Sequence, residues 1–430
     1  MNYSEALDFL GSLKQEFIKF DLERMQKAVL LLGNPQDSFK SVHVAGTNGK
    51  GSVCAMLHSI LLENGYSAGL YTSPHLVDVR ERFMADAENI SMEEFAEIAS
   101  WLRLENERLS LGLSYFEFST MLAFEFFRRR KVEFAVVETG MGGRLDATNV
   151  LTPKVSVVTA IGFEHQETLG RTIEKIASEK AGIVKEGVPA VLGEENEKVV
   201  RVFEQKCAEK NARLFIVPRN AMVERKFFGL HGQTFSFAGN GLELRDAKMP
   251  FAGRHQLLNA SVALSAVAEL QKQGFVFSEK GILRGIAKAK WQGRFQAEMR
   301  DGVTVILDGC HNPHGAKAFA ETFMEIFPDR KAVFVIGISA DKDIKKMAEI
   351  FAPLCEKAIV CSAGYHGAKM EVVAKALECN GVKIILAESV AGAVALGLNE
   401  AKGGVLCVAG SLYVVGEAFS ALGLKTIRPG

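Results

Sequence analysis

From about residue 41 onward, short apolar runs alternate with segments whose hydrophobic positions recur at helical period, the pattern of β-α-β units and a largely parallel sheet. Residues 41–45, 132–137, 155–160 and 188–192 read as strands. Between 222 and 249 the pattern shortens to alternating pieces, 234–237 and 242–244, separated by Gly239-Asn240-Gly241. That spacing predicts a small hairpin at a sheet edge. A helical segment follows over 254–274, then a polar stretch over 288–294, where a domain boundary is expected. Beyond it a second series runs through 303–307, 332–336, 358–361, 382–386 and 405–408, each run followed by a helix-like stretch. The expected fold class is therefore α/β. A phosphate-loop-type, mostly parallel sheet domain with an edge hairpin occupies 1–293, and a smaller Rossmann-like α/β domain occupies 294–430. A polar seam between two domains implies a cleft.

Length agrees with this division, since 430 residues exceed the ~150-residue unit of a typical domain about threefold. With 48% apolar and 24% charged residues the chain is an ordinary globular one, which excludes disorder, collagen and coiled coil. Lys and Arg, 51 in all, balance 51 Asp and Glu, so no global field draws nucleic acid or an acidic membrane. Any anion site must be local. The N-terminus has no basic region followed by an apolar one, and the weakly charged stretch 403–416 falls short of the ~20 residues a membrane helix needs. Seven cysteines, an odd number without C-x-x-C, argue against a disulfide framework or structural zinc. Reduced thiols in a cytoplasm are expected, with neither membrane nor nucleic acid as partner.

Residues 42–45 lead into Gly46-Thr47-Asn48-Gly49-Lys50-Gly51-Ser52, and the helical stripe Val53, Met56, Leu57, Ile60, Leu61 follows. Glycines let the backbone wrap a phosphate, the helix N-terminus aims free N–H groups at it, Lys50 adds a point charge, and Ser52 offers a hydroxyl to Mg²⁺. The strict G-x-x-x-x-G-K-[ST] spacing is not met, because Val44 stands where the first glycine belongs and Gly51 precedes Ser52. A glycine-rich turn that merely caps a helix is the structural alternative; the strand before it and the helix after it favour the phosphate site. Glu138 ends an apolar strand, the place where open α/β sheets bind ligands and where an acidic side chain holds a nucleotide's metal. The glycines at 140, 142 and 143 fail the G-x-G-x-x-G spacing, which excludes a nicotinamide site. His165 follows the next strand on the same sheet edge, where it is either structural or functional. Lys180 falls within the apolar stripe Ile173, Ile176, Ala177, Ala181, Val184 of a helical segment. Such a lysine either snorkels to solvent or has a local reason to be there, such as an anionic partner or a covalent change.

Together these residues resemble the Mur ligase superfamily and, within it, the folylpolyglutamate synthase family, with or without dihydrofolate synthase activity. The resemblance spans the chain through residues 43–52, 71–76, 138–149, His165, 179–182, 255–259, Gly293-Arg294, 308–313 and 410–413. Their order and spacing carry it. Members outside the folate branch place a separate domain of about a hundred residues before the phosphate loop, where this sequence has 45. Cys310 stands where the family pattern has alanine.

The resemblance implies roles by position. Ser52, Glu138 and His165 match magnesium ligands, while Gly46, Thr47, Asn48, Gly49, Lys50, Gly51 and Ser52 match ATP phosphate contacts. Lys180 matches a lysine that is carbamylated in many members, which would turn its amine into an anion. Asn259, Arg294 and Asp308 match further ATP contacts, the last two reaching across from the second domain. Thr72, Ser73, Pro74 and His75 match the loop flanking the pterin of the substrate, and His311, Ser411 and Tyr413 match positions tied to the incoming glutamate. The implied activity is ATP-dependent ligation of L-glutamate to the terminal carboxylate of a folate through an acyl phosphate, with dihydropteroate as a further acceptor in bifunctional members. Catalysis would then rest on Lys50, His165, Lys180 and His311 in a monomer acting on small molecules. Domain 1–293 would be the ATP-binding central-type domain and 294–430 the glutamate-ligase domain. Three rivals remain: a ligase acting on a cell-wall precursor, disfavoured by the short N-terminal segment; a nucleotide switch, disfavoured by the missing N-K-x-D motif; and a catalytically dead regulator, disfavoured because Lys50, Glu138, His165 and Lys180 are all intact.

Overall fold

The computed structural model describes residues 1–13, 21–364 and 366–427. Among them three sheets form. The largest is built from β1 (Lys40–Ala45), β2 (Ala68–Tyr71), β3 (Phe83–Ala85), β4 (Glu88–Asn89), β5 (Phe134–Glu138), β6 (Val155–Val158), β7 (Ala190–Leu192) and β8 (Leu214–Ile216). Its order is β4-β3-β2-β5-β1-β6-β7-β8, parallel from β2 to β8, with β3 and β4 antiparallel at one edge. Continuous apolar runs form these strands because both faces of a parallel sheet are covered. In β5, Phe134 and Val136 enter a core beneath the helices Lys50–Glu63 and Arg254–Lys272. Ala135 and Val137 enter the opposite core, against the helices Met92–Arg108 and Tyr115–Arg130. Fully burying a valine or phenylalanine of this kind contributes about 1.5–3 kcal/mol.

The expected hairpin forms, but it does not extend the large sheet. Its strands β10 (Gly232–Gly239) and β11 (Leu242–Met249) join β9 (Ala221–Gly229) in a separate antiparallel sheet of order β11-β10-β9. Strand β10 turns Phe235 and Phe237 into the core shared with the helix Arg254–Lys272, so the small sheet lies over that helix instead of continuing the parallel ladder.

The third sheet consists of β12 (Gln296–Arg300), β13 (Val303–Asp308), β14 (Ala332–Ile336), β15 (Cys355–Val360), β16 (Lys383–Leu386) and β17 (Val405–Ala409), in the order β12-β13-β17-β14-β15-β16. Strand β12 is antiparallel and was not legible as an apolar run; the other five are parallel. Alternate residues again feed two cores. Phe334 and Ile336 pack with Phe319 and Phe323 of the helix Pro313–Ile326, while Val333 and Val335 face Val394 and Phe419. The C-terminal strand ends of the first and third sheets face one another across a cleft, which is where the site lies.

Candidate active site

A cavity of ≈ 600 Å³ occupies the cleft, lined by residues that follow β1, β2, β5 and β6 on one side and β13, β14 and β17 on the other. Open parallel sheets bind ligands at this edge because the strands end there and helix N-termini point in. Residues 46–49 connect β1 to the helix Lys50–Glu63, and residues 46–52 all line the cavity. Gly49 has φ 92°, a left-handed conformation that glycine adopts without strain, and a Cβ there would collide with the Asn259 amide. Thr47 fixes the loop to the segment after β6, its Oγ1 donating to Gly162 O at 3.1 Å and accepting from Gly162 N at 3.1 Å. Lys50 Nζ donates to Thr47 O at 3.3 Å and lies 3.8 Å from Glu138 Oε1.

Glu138 is buried, and burial raises its carboxyl above the usual value against the opposing charge of Lys50. Its Oε2 accepts from Ser73 N at 3.2 Å. Ser52 is equally buried, within 3.4 Å of Gln256 Nε2. His165 stands at the N-terminus of the short helix Gln166–Leu169 with φ 49°, a strained conformation for a residue with a Cβ, and its Nε2 lies 3.9 Å from Glu164 Oε1. Among the described residues no three His, Cys, Asp or Glu side chains cluster as a metal cage. The donor set of Ser52 and Glu138 nevertheless fits Mg²⁺, a hard ion that takes one or two protein oxygens and completes its shell with water and phosphate. A cation would also offset the charge of the buried Glu138.

Lys180 does not snorkel. It is 3% exposed, and its Nζ donates to the Gly46 carbonyl at 2.7 Å, so the helix Ile173–Ala181 delivers an amine beneath the phosphate loop. Burial, followed by the charge of Lys50, brings it down from 10.5 to about 7.

Across the cleft, Asp308 ends β13 and accepts from the backbone N–H groups of Phe295 at 2.7 Å and Cys310 at 2.8 Å. Cys310, two residues beyond the strand end, is buried. Arg294 donates to Gly293 O at 3.0 Å and reaches the cavity, as do Asn259, Ser411 and Tyr413. His311 places Nδ1 2.9 Å from Gly309 O and Nε2 3.1 Å from Glu164 Oε1.

A second cavity, ≈ 690 Å³, adjoins the first. Its walls include His58, Leu62, Leu70, Thr72, Met84 and Trp291. Gly51, Ser73, Pro74, Glu138, Arg294 and Leu412 line both cavities. Of the loop 72–75, His75 alone lines neither; its Nδ1 accepts from Arg82 Nε at 2.9 Å, and burial together with the Arg82 charge lowers it to about 3.

Sequence reasoning assigned no role to the cavity residues Glu164, Lys342, His314, Gln256 and Trp291, nor to Asn312, the partner of the predicted loop residue Asn48. Glu164 and Lys342 are 3.5 Å apart across the cleft. Asn48 and Asn312 exchange two amide hydrogen bonds of 3.1 and 3.0 Å, and Asn48 Nδ2 also lies 2.9 Å from His314 Nδ1. Gln256 donates towards Ser52, as above, and Trp291 packs on Gly51. A signal existed for Lys342, which follows the apolar strand β14 at the ligand-binding edge.

A glycine-rich strand-to-helix loop at the C-terminal edge of one parallel sheet, faced by the same edge of a second, is an arrangement that binds nucleotide phosphates in open α/β proteins. Residues 44–267 match the Mur ligase middle domain and residues 293–412 the Mur ligase glutamate ligase domain. The chain is 32% identical to the folylpolyglutamate synthase of Lacticaseibacillus casei over 96% of its own length and 97% of the relative's. It is 35% identical to the dihydrofolate synthase/folylpolyglutamate synthase of Bacillus subtilis, over 80% and 81%. The folylpolyglutamate synthase of Mycobacterium tuberculosis, solved with ADP, superposes with a TM-score of 0.90 at 30% identity, covering 98% of each chain. The chain belongs to the Mur ligase superfamily and, within it, to the folylpolyglutamate synthase family.

Proposed function

We propose that this chain is an ATP-dependent ligase that adds L-glutamate to the terminal γ-carboxylate of a reduced folate, forming a γ-linked polyglutamate. The observation that carries the reading is the shared wall, where Glu138, Ser73 and Arg294 stand between a cavity holding the phosphate loop and a second one large enough for an acceptor. ATP belongs in the first cavity, its phosphates on residues 46–52 and its remaining contacts on Asn259, Arg294 and Asp308. The folate belongs in the second, with its reacting carboxylate at Thr72, Ser73 and Pro74. His75 supports that loop through Arg82 without reaching the ligand.

The acceptor carboxylate attacks the γ-phosphorus of ATP, ADP leaves, and an acyl phosphate results. Lys50 and Arg294 offset charge on the transferring group. The glutamate α-amine, held among His311, Ser411 and Tyr413, attacks the activated carbonyl; phosphate departs, the amine loses its proton, and the amide is complete. Mg²⁺ on Ser52, Glu138 and His165 would supply further charge stabilisation to the phosphoryl group. Lys180, with its lowered proton affinity, has the neutral amine that attacks CO2 to give a carbamate and a proton; the carbamate would put an anion beside the phosphate loop. Because ATP contacts lie on both domains, closing the cleft assembles the site and excludes water from the acyl phosphate.

The reading needs no nucleic acid, membrane or second copy of the chain, and places a monomer in the cytoplasm; among the described residues no helix is long and apolar enough to cross a membrane. The decisive experiment combines purified protein, ATP, Mg²⁺ and glutamate with tetrahydrofolate or dihydropteroate, reading products by mass spectrometry while counting phosphate. One glutamate per phosphate on tetrahydrofolate is expected. The same gain on dihydropteroate would make the enzyme bifunctional, as the Bacillus subtilis relative's name describes that protein. Phosphate release without either product would overturn the acceptor.

A further inference from the structure

Glu164 puts a carboxylate into a cavity that must accept a polyphosphate and an amino acid with two carboxylates, so its presence there calls for a reason. Its side chain is 11% exposed, and it leaves the loop after β6, one residue before His165. Its Oε1 lies 3.1 Å from His311 Nε2 and 3.5 Å from Lys342 Nζ. His311 follows β13 and Lys342 follows β14, so one oxygen of the first domain gathers two cationic or hydrogen-bonding groups from two separate loops of the second. Both second-domain partners have another tether. His311 Nδ1 faces Gly309 O at 2.9 Å, and Lys342 lies 3.1 Å from Asp341. What Glu164 adds is therefore their placement relative to the phosphate loop.

We propose that Glu164 is a positioning residue that ties the second domain to the first and holds His311 and Lys342 in the part of the cavity where the incoming glutamate binds. The assignment of that subsite rests on the function proposed above; the cross-domain tie does not. Without the carboxylate, His311 and Lys342 retain their own loops but lose their register on the phosphate site. ATP still binds and its γ-phosphoryl still reaches the acceptor, while the acyl phosphate waits longer for the amine and is lost to water.

The test uses the full-length enzyme with Glu164→Ala, Glu164→Gln and Glu164→Asp. The alanine and glutamine variants should raise the KM for glutamate by roughly 10- to 100-fold, the range spanned by hydrogen bonds to a charged group. The KM for ATP should stay within about twofold, and more than one phosphate should be released per glutamate added, with partial rescue by aspartate. Amide hydrogen exchange of residues 309–316 and 338–343 should accelerate in the alanine variant whatever the substrate. Unchanged glutamate KM and one-to-one coupling in Glu164→Ala would overturn the positioning role. Unchanged exchange in both segments would overturn the tie itself. A wild type that ligates no glutamate, with exchange still accelerated in the variant, would leave the tie standing and count against the proposed activity.

Discussion

Replacing Lys180 with methionine should make the protein more stable and inactive at once. The folded chain holds this amine with a proton affinity of about 7, against 10.5 in water. Each tenfold difference is about 1.4 kcal/mol, so forcing the ammonium into this site costs up to about 5 kcal/mol. Below pH about 7 both folded and unfolded chains bind the proton, and the penalty is present in full. Between about 7 and 10.5 the unfolded chain carries a proton that the folded one lacks, so raising the pH through that window favours the fold. Methionine removes the charge at nearly the same volume and gives up the hydrogen bond to Gly46, worth about 1 kcal/mol. The net gain should be about 3 to 4 kcal/mol near pH 6 and should vanish towards pH 10. Denaturant midpoints of both proteins, measured across that range in buffer stripped of CO2, read the difference directly. A difference that does not change with pH would refute the reasoning, as would a variant less stable throughout. In the activity arm, Lys180→Met should ligate no glutamate. Wild-type turnover should rise on adding bicarbonate, and ¹³C-bicarbonate should label this one side chain; full turnover in the variant would dispose of the carbamate.

Glu138→Gln keeps the shape of a buried side chain while removing its charge, and should lower turnover by roughly 100-fold or more, the scale of a lost metal contact; phosphate release with Mg²⁺ varied checks it. Gly51→Ala places a Cβ against the Trp291 indole and should cost about 1–3 kcal/mol of stability, as overpacking does. The same substitution in a Trp291→Ala background should cost less than half as much, so that equal losses in the two backgrounds would show the ring is not the obstacle.

Much of the first sheet was legible because its strands are buried on both faces and leave uninterrupted apolar runs, as in Phe134-Ala135-Val136-Val137. Strand β12, Gln296–Arg300, escaped because an edge strand half open to solvent carries no such run. Strand β9 escaped for the same reason, with Glu224, Arg225 and Lys226 at its middle, and without it the hairpin looked like an addition to the large sheet. In the site, residues 46–52 were readable as a strand-to-helix loop lining the cleft because they are contiguous and glycine-rich. Lys180 was readable as a misfit, a charge in an apolar stripe. The sequence could not say that its amine meets the Gly46 carbonyl, 134 positions away. Glu164 and Lys342, 178 positions apart, or Asn48 and Asn312, 264 apart, become partners only once two independent sheets turn the same edge towards each other. Such pairs leave no local period.

The wall that Glu138, Ser73, Pro74 and Arg294 share has a consequence for inhibition. Two cavities that open onto one wall can be bridged by a single molecule that joins a nucleotide analogue to a pteroyl analogue through a short linker carrying a phosphonate or phosphinate at the position of the acyl phosphate. Once one end is seated, the other is held at a high effective concentration beside its own cavity, so the affinities of two modest ligands compound without any new contact.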